Sequence, residues 1–186
     1  MRMRLEKVTV VSVACVGMLA GVACRVNDKT TTPATAPPAT VTSVAEMPDA
    51  ANASYRIGGK TVTLSGGKAD EAAAPGSASR NVTTLTSVQA RGDIDGDGKA
   101  DLAVVLTSSP GGTGTFSYVG VVLSSRGGPW PTALLGDRIA VTNVAVSGST
   151  ITVSYLGRPD GAPLAATPSV PLTKLFALSA GELKPN

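Results

Sequence analysis

Short, patterned apolar segments separated by glycine- and proline-containing turns are the sequence feature that most constrains the fold. Segments 139–146 and 150–156 alternate apolar and polar residues on either side of a Ser-Gly-Ser turn, as a half-buried strand pair does. Segment 102–106, LAVVL, is continuously apolar and predicts a buried central strand. Only segment 68–79 offers a plausible helical turn, which would end at a Pro-Gly pair.

Further strands are predicted around this core. They cover residues 55–57, 61–64, 82–90, 116–123, 134–135, 173–178 and 182–183. The expected fold is mainly β, with about seven to nine mostly antiparallel strands in one curled sheet or a small sandwich, and little helix. A domain of about 130 residues can bury a working core without disulfides.

The first 23 residues have the pattern of an export signal. Residues 8–23 are uncharged and mostly apolar, and basic residues precede them. The run is shorter than the roughly 20 residues of a membrane span and suits a signal peptide. We therefore predict a signal peptide over 1–23, with an uncleaved anchor helix as the open alternative.

The end of this segment resembles the bacterial lipobox, in which a cysteine thiol takes a diacylglycerol and becomes the new N-terminus. Gly21 and Ala23 supply small residues before Cys24. The lipobox usually carries a bulky aliphatic residue where this chain has Gly21. The resemblance implies lipidation at Cys24 and attachment to the bacterial cell membrane or outer membrane. Plain secretion with an incidental cysteine is the alternative, and every alternative places the domain outside the cytoplasm.

Residues 24–52 predict a disordered tether, and residues 53–186 the β-rich extracytoplasmic domain. The tether is dominated by Thr, Pro and Ala and has no apolar periodicity, so it cannot bury enough surface to offset its ordering entropy.

Composition excludes several kinds of chemistry. The chain has no histidine, and its two cysteines, Cys15 and Cys24, both lie in the N-terminal apolar segment. The domain therefore has no Ser-His-Asp or Cys-His machinery and no cysteine or histidine metal cage. Three of the 16 basic residues and one of the 13 acidic residues precede Cys24. The chain from Cys24 onward therefore carries 13 basic and 12 acidic residues. These charges are scattered, which argues against a nucleic-acid partner.

One acidic loop carries chemistry. Residues 93–101 read DIDGDGKAD. In a loop wrapped around calcium, the expected ligands are Asp93, Asp95, Asp97, the backbone carbonyl of Lys99, and Asp101. Calcium takes six to eight oxygens, which would relieve the repulsion among four carboxylates.

The loop is not an EF-hand, because Val104 stands where the bidentate glutamate should be and an apolar strand follows. The pattern DxDGDGxxD before a strand resembles the calcium loops of integrin-type propeller repeats, although here it occurs once. That resemblance implies a calcium loop rather than a propeller. The alternative is a metal-free Asp-Gly turn.

A wider resemblance covers about residues 55–183. The segments 74–79, 92–101, 110–116, 134–140 and 168–170 occur in this order in a group of uncharacterised bacterial lipoproteins and secreted proteins. The resemblance implies an envelope location and a calcium loop, and it supplies no catalytic residues.

These observations predict a lipid-anchored, non-enzymatic envelope domain with one structural calcium site. Its expected partners are the membrane, through the N-terminal lipid, and an unknown envelope protein or polysaccharide. One alternative is an envelope hydrolase that uses carboxylates among Asp137, Asp160 and Glu182. Another is a soluble secreted interaction module, which differs in whether Cys24 carries lipid.

Overall fold

The computed structural model describes residues 47–186, and the predicted signal peptide, Cys24 and most of the predicted tether lie outside them. The described chain contains eleven strands and a short 3-10 turn, Ala50–Asn52. The strands are β1 Ser54–Ile57, β2 Lys60–Thr63, β3 Lys68–Ala72, β4 Arg80–Gly92, β5 Asp101–Pro110, β6 Phe116–Val122, β7 Trp130–Asp137, β8 Ala140–Ser147, β9 Thr150–Gly157, β10 Val170–Ser179 and β11 Glu182–Pro185. Within this part of the chain, no helix is long and apolar enough to span a membrane.

The strands form two sheets. Seven strands in the order β2-β1-β7-β6-β5-β4-β3 make a curled, nearly closed sheet, and four in the order β11-β10-β9-β8 make a second sheet. All pairings are antiparallel except that of β1 with β7. Register shifts between β4 and β5 and between β6 and β7 add the local bends and twist that favour curling. The predicted mainly β, curled architecture is confirmed, with eleven strands rather than seven to nine.

The core lies on both faces of β5. Residues 101–106 are all buried, because β5 is central in the curled sheet and its outer face lies under the second sheet. The second sheet contributes buried apolar side chains that include Val144, Ile151, Val153 and Phe176. An apolar run with no alternation is what a strand covered on both sides requires.

The predicted helical turn over residues 68–79 is wrong. Residues 68–72 form β3, which pairs with β4 from Lys68 opposite Thr84 to Ala72 opposite Arg80. Ala69 is buried in this strand, while its neighbour Asp70 is exposed on the opposite face. The helix preference of this alanine-rich segment is overridden because the long β4 offers a complete hydrogen-bonding ladder.

The folded domain begins before residue 53. Asp49 caps the 3-10 turn by accepting hydrogen bonds from the backbone N–H groups of Ala51 and Asn52. The buried Tyr55 hydroxyl donates to the Ala50 carbonyl at 2.8 Å. Residues 47–52, which the sequence analysis assigned to the tether, therefore pack on the domain.

Gly92, the last residue of β4, lies close against Val146 of β8 in the second sheet. A Cβ on Gly92 would lie 2.8 Å from Cβ of Val146 in β8 and closer still to its Cγ1. We expect Gly92→Ala to lower the free energy of unfolding by about 1–3 kcal/mol, because both backbones are held by ladders and the overlap must be relieved by strain. Urea unfolding of the full chain measures this loss.

Two variants control that measurement. Gly112→Ala adds the same methyl where nothing lies within 4 Å, so its midpoint should match that of the parent chain. The double variant Gly92→Ala/Val146→Ala removes the closest overlapping atom, Cγ1 of Val146, and leaves only the contact with Cβ. It should therefore be more stable than the sum of the single losses predicts. Strict additivity would show that the contact does not limit packing.

Candidate metal centre

The acidic loop connects β4 to β5 and is closed at its base by the pairing of Gly92 with Asp101. Gly96 and Gly98 both have φ of 81°, a left-handed conformation that glycine adopts without steric cost. These two positions allow the chain to turn back on itself within a few residues. The Asp-Gly repeats therefore serve the geometry of the loop whether or not a metal is bound.

Three carboxylates converge in this loop. Asp93, Asp95 and Asp101 each place one carboxylate oxygen within 4.8 Å of the others, so the group could hold a metal ion. Their exposure is graded, because Asp101 is fully buried, Asp93 is half-buried and Asp95 is exposed. The group therefore combines one buried carboxylate with one that solvent can reach.

Asp101 is the anchor of the group. Its Oδ2 accepts a hydrogen bond from the backbone N–H of Ile94 at 2.9 Å. Its Oδ1 accepts from the backbone N–H of Ser124 at 2.9 Å and from the Ser124 hydroxyl at 3.2 Å. Asp101 therefore ties the start of the loop and the segment after β6 to the first residue of β5.

Asp93 shapes the turn of the loop. Its Oδ1 accepts from the Gly96 N–H at 2.7 Å and its Oδ2 from the Gly98 N–H at 3.0 Å. Each carboxylate oxygen has two lone pairs, so both oxygens retain acceptor capacity for a cation. The hydrogen bonds orient the carboxylate without using up its ligand capacity.

Asp95 connects the loop to the chain after β6. Its Oδ2 accepts a hydrogen bond from the Ser125 hydroxyl at 2.6 Å, and its Oδ1 accepts from the Asp97 N–H at 3.3 Å. Sequence reasoning missed Ser124 and Ser125, because their place beside the loop follows from the β5–β6 register, in which Leu102 lies opposite Val122. No local motif marks these serines.

The fourth carboxylate, Asp97, lies outside the converging group. Its Oδ1 accepts from the Lys99 N–H at 2.8 Å, and its Oδ2 lies 3.8 Å from Lys99 Nζ. The structure thus brings together three of the four predicted carboxylates. Asp97 is paired instead with Lys99, the residue predicted to contribute its carbonyl.

The carboxylates considered for hydrolysis do not form a cluster of three among the described residues. Asp137, at the end of β7, accepts from the Thr115 N–H at 2.9 Å and thereby holds the β5–β6 connection. Glu182 lies 3.9 Å from Lys184 on β11, and Asp160 is exposed in the loop between β9 and β10. Each has a local, separate place in the fold.

No protein-family model, curated protein or solved structure matches the chain. The described residues form a mainly β domain with an acidic loop that could hold a metal ion.

Proposed function

We propose that this chain is a lipid-anchored cell-envelope protein whose β domain acts by binding rather than by catalysis, with calcium in the acidic loop stabilising its fold. The observation that carries the proposal is the convergence of Asp93, Asp95 and Asp101 at the β4–β5 connection. The anchor rests on the signal-like segment and Cys24, which lie outside the described residues.

Calcium is the cation that suits this donor set best. The site offers carboxylate oxygens, which are preferred by hard cations such as calcium and magnesium. Calcium accepts six to eight ligands in irregular geometry, whereas magnesium demands a compact octahedron. Asp97, the Lys99 carbonyl and water are the candidates for the remaining ligands of a calcium shell.

A structural role for the ion follows from what the ligands are attached to. Asp101 is the first residue of the buried strand β5, and Asp95 is hydrogen-bonded to Ser125 beyond β6. An ion held by both would fix the ends of two neighbouring strands. Extracellular modules of this kind bind calcium with dissociation constants of about 10⁻⁴–10⁻³ M, which suits a site outside the cytoplasm.

Thermal unfolding of the full chain tests the calcium site. At free calcium tenfold above the dissociation constant, one site stabilises the fold by about 1.4 kcal/mol. For a domain of this size we expect the midpoint to rise by about 3–6 °C relative to excess chelator. Calcium uptake should be one ion per chain by isothermal titration calorimetry.

The Asp95→Asn variant distinguishes stabilisation by bound calcium from the stability of the metal-free fold. Asp95 is exposed, so its amide variant should unfold in chelator much as the parent chain does, yet show little stabilisation by calcium. Asp160→Asn removes an exposed carboxylate outside the loop and should keep the full calcium response. Equal midpoints with calcium and with chelator in the parent chain, together with no calcium uptake, would refute the site.

The binding role is tested in the envelope. We expect crosslinking in intact cells, followed by purification of the full chain, to recover one dominant envelope protein or polysaccharide. A hydrolase would instead release soluble fragments from envelope material, and Asp137→Asn, Asp160→Asn or Glu182→Gln would abolish that release.

A further inference from the structure

The curled sheet stops short of closing between its two edge strands, β2 and β3. These strands are joined at one end, where Ser65 bridges to Lys68, and a cavity of 340 Å³ lies between them. The cavity is lined from β1 through β7, so it is the open mouth of the sheet interior. Mouths of barrel-like sheets are common places for small-ligand sites, and cavities of about 300–1,000 Å³ hold small molecules.

Part of the lining of this mouth is apolar. Phe116 and Tyr118 of β6 and Leu134 of β7 line it, together with Ile57 from β1. Leu134 is 52% exposed, although Tyr118 lies directly opposite it in the β6–β7 ladder. Burial raises the pKa of the Tyr118 hydroxyl, in keeping with its apolar surroundings. An apolar ligand group in the mouth would cover these side chains.

The two edge strands carry side chains of opposite charge, a lysine on β2 and a glutamate on β3. Lys60 of β2 lies opposite the buried Ile57, and Glu71 of β3 lies opposite Asn81, so both belong to the concave face. Within the part of the chain described, neither side chain forms an ion pair. Asp70, on the other face of β3, is paired with both Lys68 and Arg80.

Hydrogen-bonding groups remain at the same mouth. Asn81, which carries a side-chain amide, and Tyr118, which carries a hydroxyl, also line the cavity. The Thr83 hydroxyl donates to Ser108 Oγ at 3.2 Å, which leaves the Ser108 hydroxyl as a further donor. A ligand would therefore meet one cation, one anion and several neutral polar groups above an apolar floor.

We propose that this mouth binds a small zwitterion with an apolar body, namely a free amino acid or dipeptide with a large apolar side chain. The ligand carboxylate lies at Lys60, its ammonium at Glu71, and its side chain against Phe116, Tyr118 and Leu134. A fatty acid would match Lys60 but would leave the exposed Glu71 without a partner. A purely apolar ligand would leave both charges unmatched.

Isothermal titration calorimetry of the full chain with L-phenylalanine and L-leucyl-L-leucine tests the proposal. The analogues 3-phenylpropanoate and phenethylamine keep the ring of phenylalanine but lack its ammonium or its carboxylate. We expect each analogue to bind at least about tenfold more weakly than phenylalanine, since one charge-assisted contact is lost. No measurable binding of any zwitterion at millimolar concentration would overturn the proposal.

Two charge-removing variants test which residue binds the carboxylate and which binds the ammonium of the ligand. Lys60→Gln should weaken phenylalanine binding about tenfold and abolish the preference over phenethylamine, because the carboxylate no longer has a cation to meet. Glu71→Gln should abolish the preference over 3-phenylpropanoate in the same way. Phenylalanine binding that is unchanged in both variants would overturn the assignment of this site.

Matched surface variants control for net charge and for strand integrity. Lys184→Gln removes a lysine from β11, and Asp70→Asn removes a carboxylate from the outer face of β3. Both should bind phenylalanine as the parent chain does, with unchanged circular dichroism. Equal loss in Asp70→Asn and Glu71→Gln would mean that the strand, and not the charge in the mouth, governs binding.

Discussion

Replacing Asp101 by alanine should lower the free energy of unfolding by about 3 kcal/mol even when calcium is chelated. The Asp101 carboxylate is buried and accepts the backbone N–H groups of Ile94 and Ser124. Removing it leaves two backbone donors without partners, at a cost of about 1–3 kcal/mol each. The loss should therefore exceed that of any other single carboxylate in the loop.

Urea unfolding in excess chelator isolates this structural contribution from metal binding. Asp97→Ala is the matched control, because Asp97 is exposed and its carboxylate accepts from the Lys99 N–H and pairs with the Lys99 ammonium outside the buried core. Its midpoint should therefore stay close to that of the parent chain. Asp101→Asn keeps the size and one acceptor and should fall between the two. Equal midpoints for Asp101→Ala and Asp97→Ala would show that the buried hydrogen bonds do not hold the loop.

The regular part of the fold could be predicted from the sequence because burial on one face imposes alternation. The β8–β9 pair follows its apolar pattern, with Val144 opposite Val153 and Val146 opposite Ile151. The hairpin of β1 and β2 follows from its Gly-Gly turn, where both glycines have positive φ. In these elements local pattern and final contacts agree.

The strand β3 could not be predicted locally. Its residues, KADEA, have helix-forming composition, and only Ala69 among them is buried. The segment is a strand because it pairs with the edge of β4. That pairing is not encoded in the residue pattern of the segment itself, although β4 follows closely in the sequence. Tertiary pairing decides such a segment, and short composition windows do not contain that information.

In the candidate metal site, too, the residues of one local segment could be predicted and those from elsewhere in the fold could not. Spacing alone identified Asp93, Asp95 and Asp101, because ligands within one loop are set by local geometry. The supporting Ser124 and Ser125 come from another strand end and were invisible to the motif. The cavity between β2 and β3 was also not predicted, since it results from a sheet that remains open.

The two proposed sites lie at opposite ends of one strand. Asp101 begins β5, and Ser108, which lines the cavity, follows seven residues later, about 24 Å along an extended strand. Calcium and the zwitterion would not touch. Asp95→Asn should therefore leave phenylalanine binding intact, and Glu71→Gln should leave the calcium response intact, so the failure of one proposal would not disguise the failure of the other.

Replacing Cys24 by serine should abolish lipid attachment completely. In the expected processing, the Cys24 thiol accepts a diacylglycerol and the first 23 residues are then removed. A serine hydroxyl does not replace the thiol in that reaction, so cells fed a clickable fatty acid should label the parent chain and not Cys24→Ser. Gel electrophoresis with fluorescence detection measures the label, and an epitope at the C-terminus confirms equal expression.

Cys15 supplies the matched control within the same apolar segment. Cys15→Ser should keep the lipid label, because its neighbours do not resemble a processing site. Gly21→Leu restores the bulky aliphatic residue that the lipobox prefers and should increase the labelled fraction. Absence of the label from the parent chain would contradict lipidation. The size and location of the chain would then distinguish the alternatives. A full-length chain in the membrane indicates an uncleaved anchor, whereas a shortened chain in the medium indicates a secreted module whose β domain finds its partner without a membrane tether.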